Sequence, residues 1–405
     1  MTLTGGLRLA RSVEQLGTES AFAVLARARA LERQGRSVVH LEIGQPDFPT
    51  PGHVIHAATA AMERGETGYT PSAGVAEFRE VVADELARTR GIEVVPDRVL
   101  IANGAKLLLF LTILAICDPG DEVVYPDPGF PIYESAIRWA GAVPVPLTLR
   151  DELDFSFSID ELSDRLGERT KLVIVNSPNN PTGGVTPADD LRAAAELILE
   201  TSAWVLSDEV YRRIVYGLEP ASIASVPGML ERCVLLDGLS KTYAMTGWRC
   251  GYAAVPAPLV DPLTRLITNS VSCVPGFVQA AGSAALTGPQ DSVGAMVAEF
   301  HQRRDLVVAR LNAVPGVSCR TPQGAFYAFP NVSGTTIPSE ELADRLLEEA
   351  GVALLAGEGF GAQGRRHLRI SYANSRDQLE LALDRIRAFL EAETVAVLPE
   401  AEVER

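Results

Sequence analysis

The chain of 405 residues carries 36 basic against 52 acidic side chains, a net charge of −16, with 47% hydrophobic and 22% charged residues. At about 150 residues per domain, this length suggests two or three domains with ample apolar material for a core. The acidic balance and the lack of any Lys/Arg-rich run speak against sequence-independent nucleic-acid binding, which needs a cationic face against phosphates.

The stretch from Met1 to Arg11 shows no basic segment followed by an apolar run and a small-residue cleavage site, so no signal peptide is expected. The Ala/Arg-rich segment Ser20–Gln34 is amphipathic in pattern and is expected to be a helix packed on a smaller domain. Val99–Ala102 reads as a strand, and Ala105–Cys117 as the helix after it. Leu107 to Cys117 is about half the roughly 20 apolar residues that cross a membrane, so a buried helix is expected and no membrane contact. Further strands are predicted at Glu122–Tyr125, Leu172–Asn176, Trp204–Ser207, Cys233–Asp237 and Gly251–Val255. Helices are predicted at Pro131–Ala140 and Pro187–Glu200, with one long stretch from Pro275 to Leu311. Strands separated by helices of this length imply crossovers and a mostly parallel α/β sheet covered on both faces. The uninterrupted apolar run Leu172-Val-Ile-Val175 suits a strand buried on both faces.

Beyond about residue 310 the texture changes. Val317–Thr321, Phe326–Phe329 and His367–Ser371 read as strands, with helices at Ser339–Ala350 and Asp377–Glu393. A smaller α+β domain is therefore expected, joined to the larger one by a helix near 290–312. The tail Glu391 to Arg405 either ends a helix or hangs loose. The expected division is an N-terminal arm with part of the small domain over 1–45, a large domain over 46–300, and a small C-terminal domain over 301–405. Five widely spaced cysteines without C-x-x-C read as reduced thiols in a cytoplasmic protein. The five histidines show no H-E-x-x-H spacing, so no metal site is expected.

Only three lysines occur, Lys106, Lys171 and Lys241, so any lysine-based covalent chemistry has few carriers. Lys241 follows the strand Cys233–Asp237, and functional groups of open α/β sheets collect at such carboxyl ends. Three other strands end in polar segments: Asn103-Gly-Ala-Lys106, Asn176-Ser-Pro-Asn-Asn-Pro-Thr-Gly183 and Ser207-Asp-Glu-Val-Tyr211. The small pair Gly104-Ala105 at a helix start permits close backbone approach to a phosphate. Together these place an anion cradle, an aspartate, a tyrosine, an asparagine amide, a lysine and Arg249 at one sheet edge.

This set, with Gly44-Gln-Pro-Asp-Phe48, Gly68-Tyr-Thr-Pro71, Ser240-Lys-Thr-Tyr-Ala-Met-Thr-Gly-Trp-Arg249 and Leu368-Arg-Ile-Ser-Tyr-Ala373, resembles the class I/II aminotransferases. These belong to the fold-type-I enzymes dependent on pyridoxal phosphate (PLP), and the resemblance is to the bacterial aspartate aminotransferase branch. It implies that Lys241 forms a Schiff base with PLP and, once released, shuttles the substrate proton. Asp208 would pair with the pyridine nitrogen, and Tyr211 and Asn180 would hydrogen-bond the ring's phenolic oxygen. Ser240, Arg249 and the backbone of Gly104, Ala105 and Lys106 would hold the phosphate, with Phe130 stacked on the ring. Arg369 would clamp the substrate α-carboxylate, helped by Asn180 and the backbone of Gly44. Tyr69 would reach the phosphate of a neighbouring subunit, implying a homodimer with shared sites.

In that branch a lysine at the place of Lys106 faces the distal carboxylate of aspartate or glutamate. Here the run Ala105-Lys-Leu-Leu-Leu-Phe110 is more apolar than the usual Gly-Lys-Gln-Ala-Leu, and Phe130 stands where tryptophan is common. Two readings of Lys106 stay open, a substrate ligand or a helix-N-terminal lysine that assists phosphate binding. Gly359-Phe-Gly-Ala-Gln-Gly364 matches G-x-G-x-x-G but precedes a strand, so a glycine-rich active-site loop or plain turn is expected instead of a dinucleotide site. The function implied is transfer of an α-amino group from an amino acid to a 2-oxo acid by ping-pong chemistry. The same motifs leave open amino-acid oxidation, elimination, replacement or carbon–carbon bond formation, because the electron sink is shared. A DNA-binding regulator is set aside, because the motifs begin at Gly44 and leave little chain for such a module.

Overall fold

The computed structural model describes residues 9–397, so residues 1–8 and the expected loose end of the tail, 398–405, lie outside the described residues. Among the described residues, thirteen strands follow in chain order: β1 Val39–His40, β2 Val99–Ala102, β3 Glu122–Asp127, β4 Val143–Arg150, β5 Ser156–Phe157, β6 Thr170–Asn176 and β7 Trp204–Asp208. After them come β8 Cys233–Gly238, β9 Gly251–Ala254, β10 Tyr327–Ala328, β11 Val352–Ala353, β12 Leu355–Ala356 and β13 Leu368–Ser371. Eight form one sheet in the order β2-β9-β8-β7-β6-β3-β4-β5. Strands β4, β3, β6, β7 and β8 run parallel, whereas β9 is antiparallel to both neighbours and β5 to β4.

Side chains alternate across this sheet as the two-residue period requires. Val173, Val175, Val205 and Leu235 enter the apolar core on one face. Leu172, Ile174, Leu206, Val234 and Leu236 enter the core on the other. Helix Ala105–Ile116, with a nearly all-apolar sequence, packs within that second core and is largely buried, as expected. No helix among the described residues is long and apolar enough to cross a membrane.

A third apolar cluster lies around β10 and β13 and draws in Val39 and Leu41 from near the N-terminus, Phe300 and Val307 from the helix Asp291–Asn312, and Leu379 from the helix Arg376–Val397. Strand β13 is central in a three-stranded sheet with β10 and β12, and β1 pairs with β11. Helix Ser20–Arg33 contributes Ala28 and Leu31 to a small cluster with Leu347 and Ala353, the packing expected from its pattern.

Several sequence expectations need correction. The stretch Pro275–Leu311 is two helices, Gly276–Thr287 and Asp291–Asn312, because Pro289 lacks an N–H and Gly288 favours chain exit. Val317–Thr321 forms no strand and makes only a single bridge from Ser318 to Asn331. The segment Phe326–Phe329 shrinks to the two residues of β10. Ser339–Ala350 winds as an α-helix to Arg345 and then widens into a π-turn over Leu346–Ala350. The sequence also hid β4, whose Pro144 and Pro146 discourage a strand. Most of β4 pairs only with β3, so prolines on the open side interrupt no ladder.

Candidate active site

The parallel strands end at one rim, where a cavity of about 630 Å³ opens. Its lining includes Gly44, Ala105, Lys106, Phe130, Asn180, Asp208, Tyr211, Ser240, Lys241, Arg249 and Arg369. Of the residues singled out from sequence, Gly104 lies just behind this wall and Tyr69 lies outside it.

Lys241 sits in the short helical turn Leu239–Thr242 that directly follows β8. Its Nζ donates a 2.5 Å hydrogen bond to the carbonyl of Gly44. Burial pushes this amine down to about 8, and the Arg369 guanidinium adds to the shift while Glu19 opposes it. A lysine so placed has a far larger deprotonated fraction near neutral pH than an ordinary lysine, as a nucleophile or base requires.

Asp208 closes β7 beside Asn176, its register partner at the end of β6. Its Oδ2 accepts a 2.7 Å hydrogen bond from the Tyr133 hydroxyl. Burial raises the carboxyl to about 6, and the Tyr133 bond pulls it back. Asn176 Nδ2 donates to the Asp208 carbonyl at 3.1 Å, and its Oδ1 accepts from the Asn180 N–H at 3.0 Å. This one amide thus ties two strand ends together. Behind the rim, buried Arg90 pairs with Glu209 Oε2 at 2.7 Å and also with Asp237, joining the ends of β7 and β8 from below.

Tyr211 shares a 2.8 Å hydrogen bond with the hydroxyl of Tyr327, and burial drives both phenols upward from their ordinary range. Arg369, from β13, is buried and stacks 4.7 Å from the Tyr327 ring and 5.0 Å from the Phe360 ring. Its Nη1 donates to Asn180 Oδ1 at 3.3 Å and its Nη2 to the Glu42 carbonyl, leaving Nε buried without a partner. A buried, under-satisfied guanidinium is a ready site for a carboxylate. Phe360 belongs to the glycine-rich segment 359–364, which forms 3-10 turns and reaches the cavity only through this contact with Arg369.

At the opposite end, Gly104 has φ +91°, and a Cβ there would stand 2.2 Å from Arg249 Nη2. Only glycine lets the backbone enter helix Ala105–Ile116 while keeping the guanidinium close. Arg249 itself is held at φ +53°, a left-handed conformation that costs a side-chain-bearing residue roughly 1–2 kcal/mol. Its Nη1 and Nη2 donate to the carbonyls of Thr246 and Asn103 at 3.0 and 3.4 Å. The helix's positive end and an exposed guanidinium therefore converge on one spot, an arrangement suited to a phosphate.

Phe130 lines the wall with its ring edge-on to Tyr133, centroids 5.7 Å apart. Lys106 forms an ion pair with Glu19, and its Nζ lies 5.3 Å from the Phe130 centroid. Tyr69 is 93% exposed and contributes nothing to its own cavity.

Sequence reasoning missed Tyr133, Tyr327, Asn176 and Glu19 as site residues. Tyr133 stands three residues after Phe130, and Asn176 opens the polar segment Asn176-Ser-Pro-Asn-Asn-Pro-Thr-Gly183, so both had a local signal. Tyr327 and Glu19 are brought in by tertiary packing, from β10 and from the residue before helix Ser20–Arg33.

A family profile described as aminotransferase class I and II matches residues 36–386. An aspartate aminotransferase of Geobacillus stearothermophilus is 38% identical over 393 residues, covering 95% of this chain and 100% of that protein. The solved structure of an aspartate aminotransferase from Thermus thermophilus with maleate superposes with a TM-score of 0.90 at 37% identity, over 95% of this chain and 100% of the other. An alanine aminotransferase from Pyrococcus furiosus superposes with the same TM-score, 0.90, at 32% identity and the same coverage of 95% and 100%.

Proposed function

This chain belongs to the class I and II aminotransferases, and from that premise we propose a role for each group in the cavity. It is a PLP-dependent enzyme that moves the α-amino group of an L-amino acid to a 2-oxo acid by ping-pong exchange. When bound, PLP supplies an aldehyde that condenses with amines and a pyridine ring that takes up the electron pair left at the substrate Cα.

The residues present fit that group. A cavity with one downshifted lysine, a buried carboxylate and a cation at a helix N-terminus offers an amine, a ring-nitrogen partner and a phosphate cradle together. We propose that Lys241 Nζ anchors the cofactor and, once released, takes the proton from Cα. Asp208 holds a proton on the ring nitrogen, with Tyr133 fixing the carboxylate's orientation. Tyr211, held by Tyr327, and Asn180 hydrogen-bond the phenolic oxygen. Ser240, Arg249 and the backbone N–H groups of Ala105 and Lys106 hold the phosphate, with Gly104 letting the backbone come close, and Phe130 covers the ring. Arg369 binds the substrate α-carboxylate with Asn180 and the Gly44 backbone, and its unpartnered Nε supports that role.

Two wider readings accompany these roles. We propose a homodimer in which Tyr69 serves the neighbouring subunit's phosphate, supported by its exposure away from its own cavity. We also propose a cytoplasmic setting, supported by five free cysteines, and domain limits of 1–45, 46–300 and 301–405, supported by the separate apolar cluster that gathers most of the later elements.

The observation that carries this reading is one cavity holding an amine shifted to about 8, a buried carboxylate and two guanidinium groups. A single-turnover experiment tests it. Holoenzyme mixed with an excess of amino acid is expected to release one equivalent of 2-oxo acid per site, with a change in visible absorbance. Oxygen consumption, or a product that keeps its nitrogen, contradicts it.

A further inference from the structure

Glu19 precedes helix Ser20–Arg33 at its N-cap, yet its side chain accepts no capping bond from that helix. Glutamate is not among the favoured N-cap residues, and here the carboxylate reaches instead across to Lys106. Lys106 lies in the first turn of helix Ala105–Ile116, where the helix dipole disfavours a cation. An ion pair with Glu19 compensates that placement. The two side chains remain 20% and 44% exposed, so the pair sits at the cavity mouth and not in the core.

Within the cavity this pair stands apart from the other charges. Among its lining residues are four cations, Lys106, Lys241, Arg249 and Arg369, and two carboxylates, Glu19 and Asp208. In the roles proposed above, Arg249 meets a phosphate, Arg369 an α-carboxylate, Asp208 a ring nitrogen and Lys241 the reacting carbon. Lys106 and Glu19 are left to neutralise each other. Glu19 is near enough to act electrostatically on both Lys241 and Arg369, the two groups that bracket the substrate. Lys106 lies over Phe130, and the same cavity is also lined by the apolar Ile43 and Leu109 and the largely exposed Phe22.

We propose that Glu19 is a specificity-determining residue, which occupies Lys106 and so selects amino acids and 2-oxo acids with uncharged side chains over dicarboxylic ones. A second substrate carboxylate would have either to break the pair or to lie against Glu19, and like charges repel strongly where water is partly excluded. An uncharged side chain leaves the pair intact and packs on the apolar wall. The inference rests on the reading that Lys241 and Arg369 place the substrate's Cα and α-carboxylate.

The test is the half-reaction kcat/KM of holoenzyme for L-alanine, L-leucine and L-phenylalanine against L-aspartate and L-glutamate, in the parent chain, Glu19→Gln, and Glu19→Gln combined with Lys106→Met. Visible absorbance of the bound cofactor verifies that each variant is folded and loaded. The parent is expected to favour uncharged donors by ten-fold or more. Glu19→Gln is expected to shift the dicarboxylic-to-uncharged ratio upward by about 10–100-fold, and Lys106→Met to reverse that shift. A parent that favours aspartate or glutamate, or a ratio unmoved by Glu19→Gln, overturns the proposal. Loss of the half-reaction with every donor in the parent would overturn instead the placement of substrate by Lys241 and Arg369, on which the proposal stands.

Discussion

The hydroxyl of Tyr133 donates a 2.7 Å hydrogen bond to Oδ2 of Asp208, and both side chains are buried at the carboxyl end of the central sheet. That bond is the largest influence holding the carboxyl down against the upward push of burial. Tyr133→Phe keeps the ring and removes the bond. A hydrogen bond to a charged group contributes about 1.5–3 kcal/mol, so kcat should fall roughly 10–100-fold and PLP should dissociate faster. Stopped-flow half-reaction rates and cofactor retention on dialysis check this.

Asp208 also makes a prediction about stability. Its carboxyl is raised to about 6 in the cofactor-free chain, above the ordinary value near 4. A carboxyl raised by folding contributes stability at low pH that is lost as pH rises through about 6. Asp208→Asn removes that loss and can still accept from Tyr133. The cofactor-free variant should therefore be more stable than the parent by about 1–3 kcal/mol at pH 8, with the gain shrinking toward pH 4, while turnover is abolished. Urea unfolding of both cofactor-free proteins across that range measures the difference.

For Lys241, deprotonation of an amine near 8 sets the pH dependence of cofactor capture. The rate at which cofactor-free protein takes up PLP should rise through about pH 8, not near 10.4 as for an ordinary lysine. Arg369 is the largest charge acting on that amine after burial itself. Arg369→Gln should move the midpoint upward, and an unmoved midpoint would break the electrostatic link between these two residues.

Arg369 carries a second expectation, on substrate. Arg369→Ala removes one partner of a buried, charge-assisted pair, which costs about 2–5 kcal/mol. The loss should appear as a roughly 10²–10³-fold drop in kcat/KM for amino acids, with little change in PLP retention. Equal losses of both would assign Arg369 to the cofactor instead.

Much of this architecture was legible before the structure, for identifiable physical reasons. Leu172-Val-Ile-Val175 announced a strand buried on both faces, and Val173 and Ile174 do enter opposite cores. Gly104-Ala105 announced a close backbone approach, and Gly104 proves intolerant of a Cβ. Features that depend on what a segment packs against were hidden. Pro144 and Pro146 concealed β4, because only the sheet order reveals that its outer side needs few ladder bonds. Glu19 drew no reading from the sequence, because its partner Lys106 is distant along the chain. Tyr327 fell inside an expected strand, but alternation alone does not say that its hydroxyl meets Tyr211.

Every role proposed for the cavity depends on Lys241 being the residue that joins the cofactor. Borohydride reduction of the PLP-loaded protein, followed by peptide mass mapping, tests this directly, since only Lys106, Lys171 and Lys241 can carry the label on a side chain. One reduced phosphopyridoxyl group per chain is expected, on Lys241, and none in Lys241→Ala. Label on Lys106 or Lys171, or retention of covalent label by Lys241→Ala, would contradict that assignment.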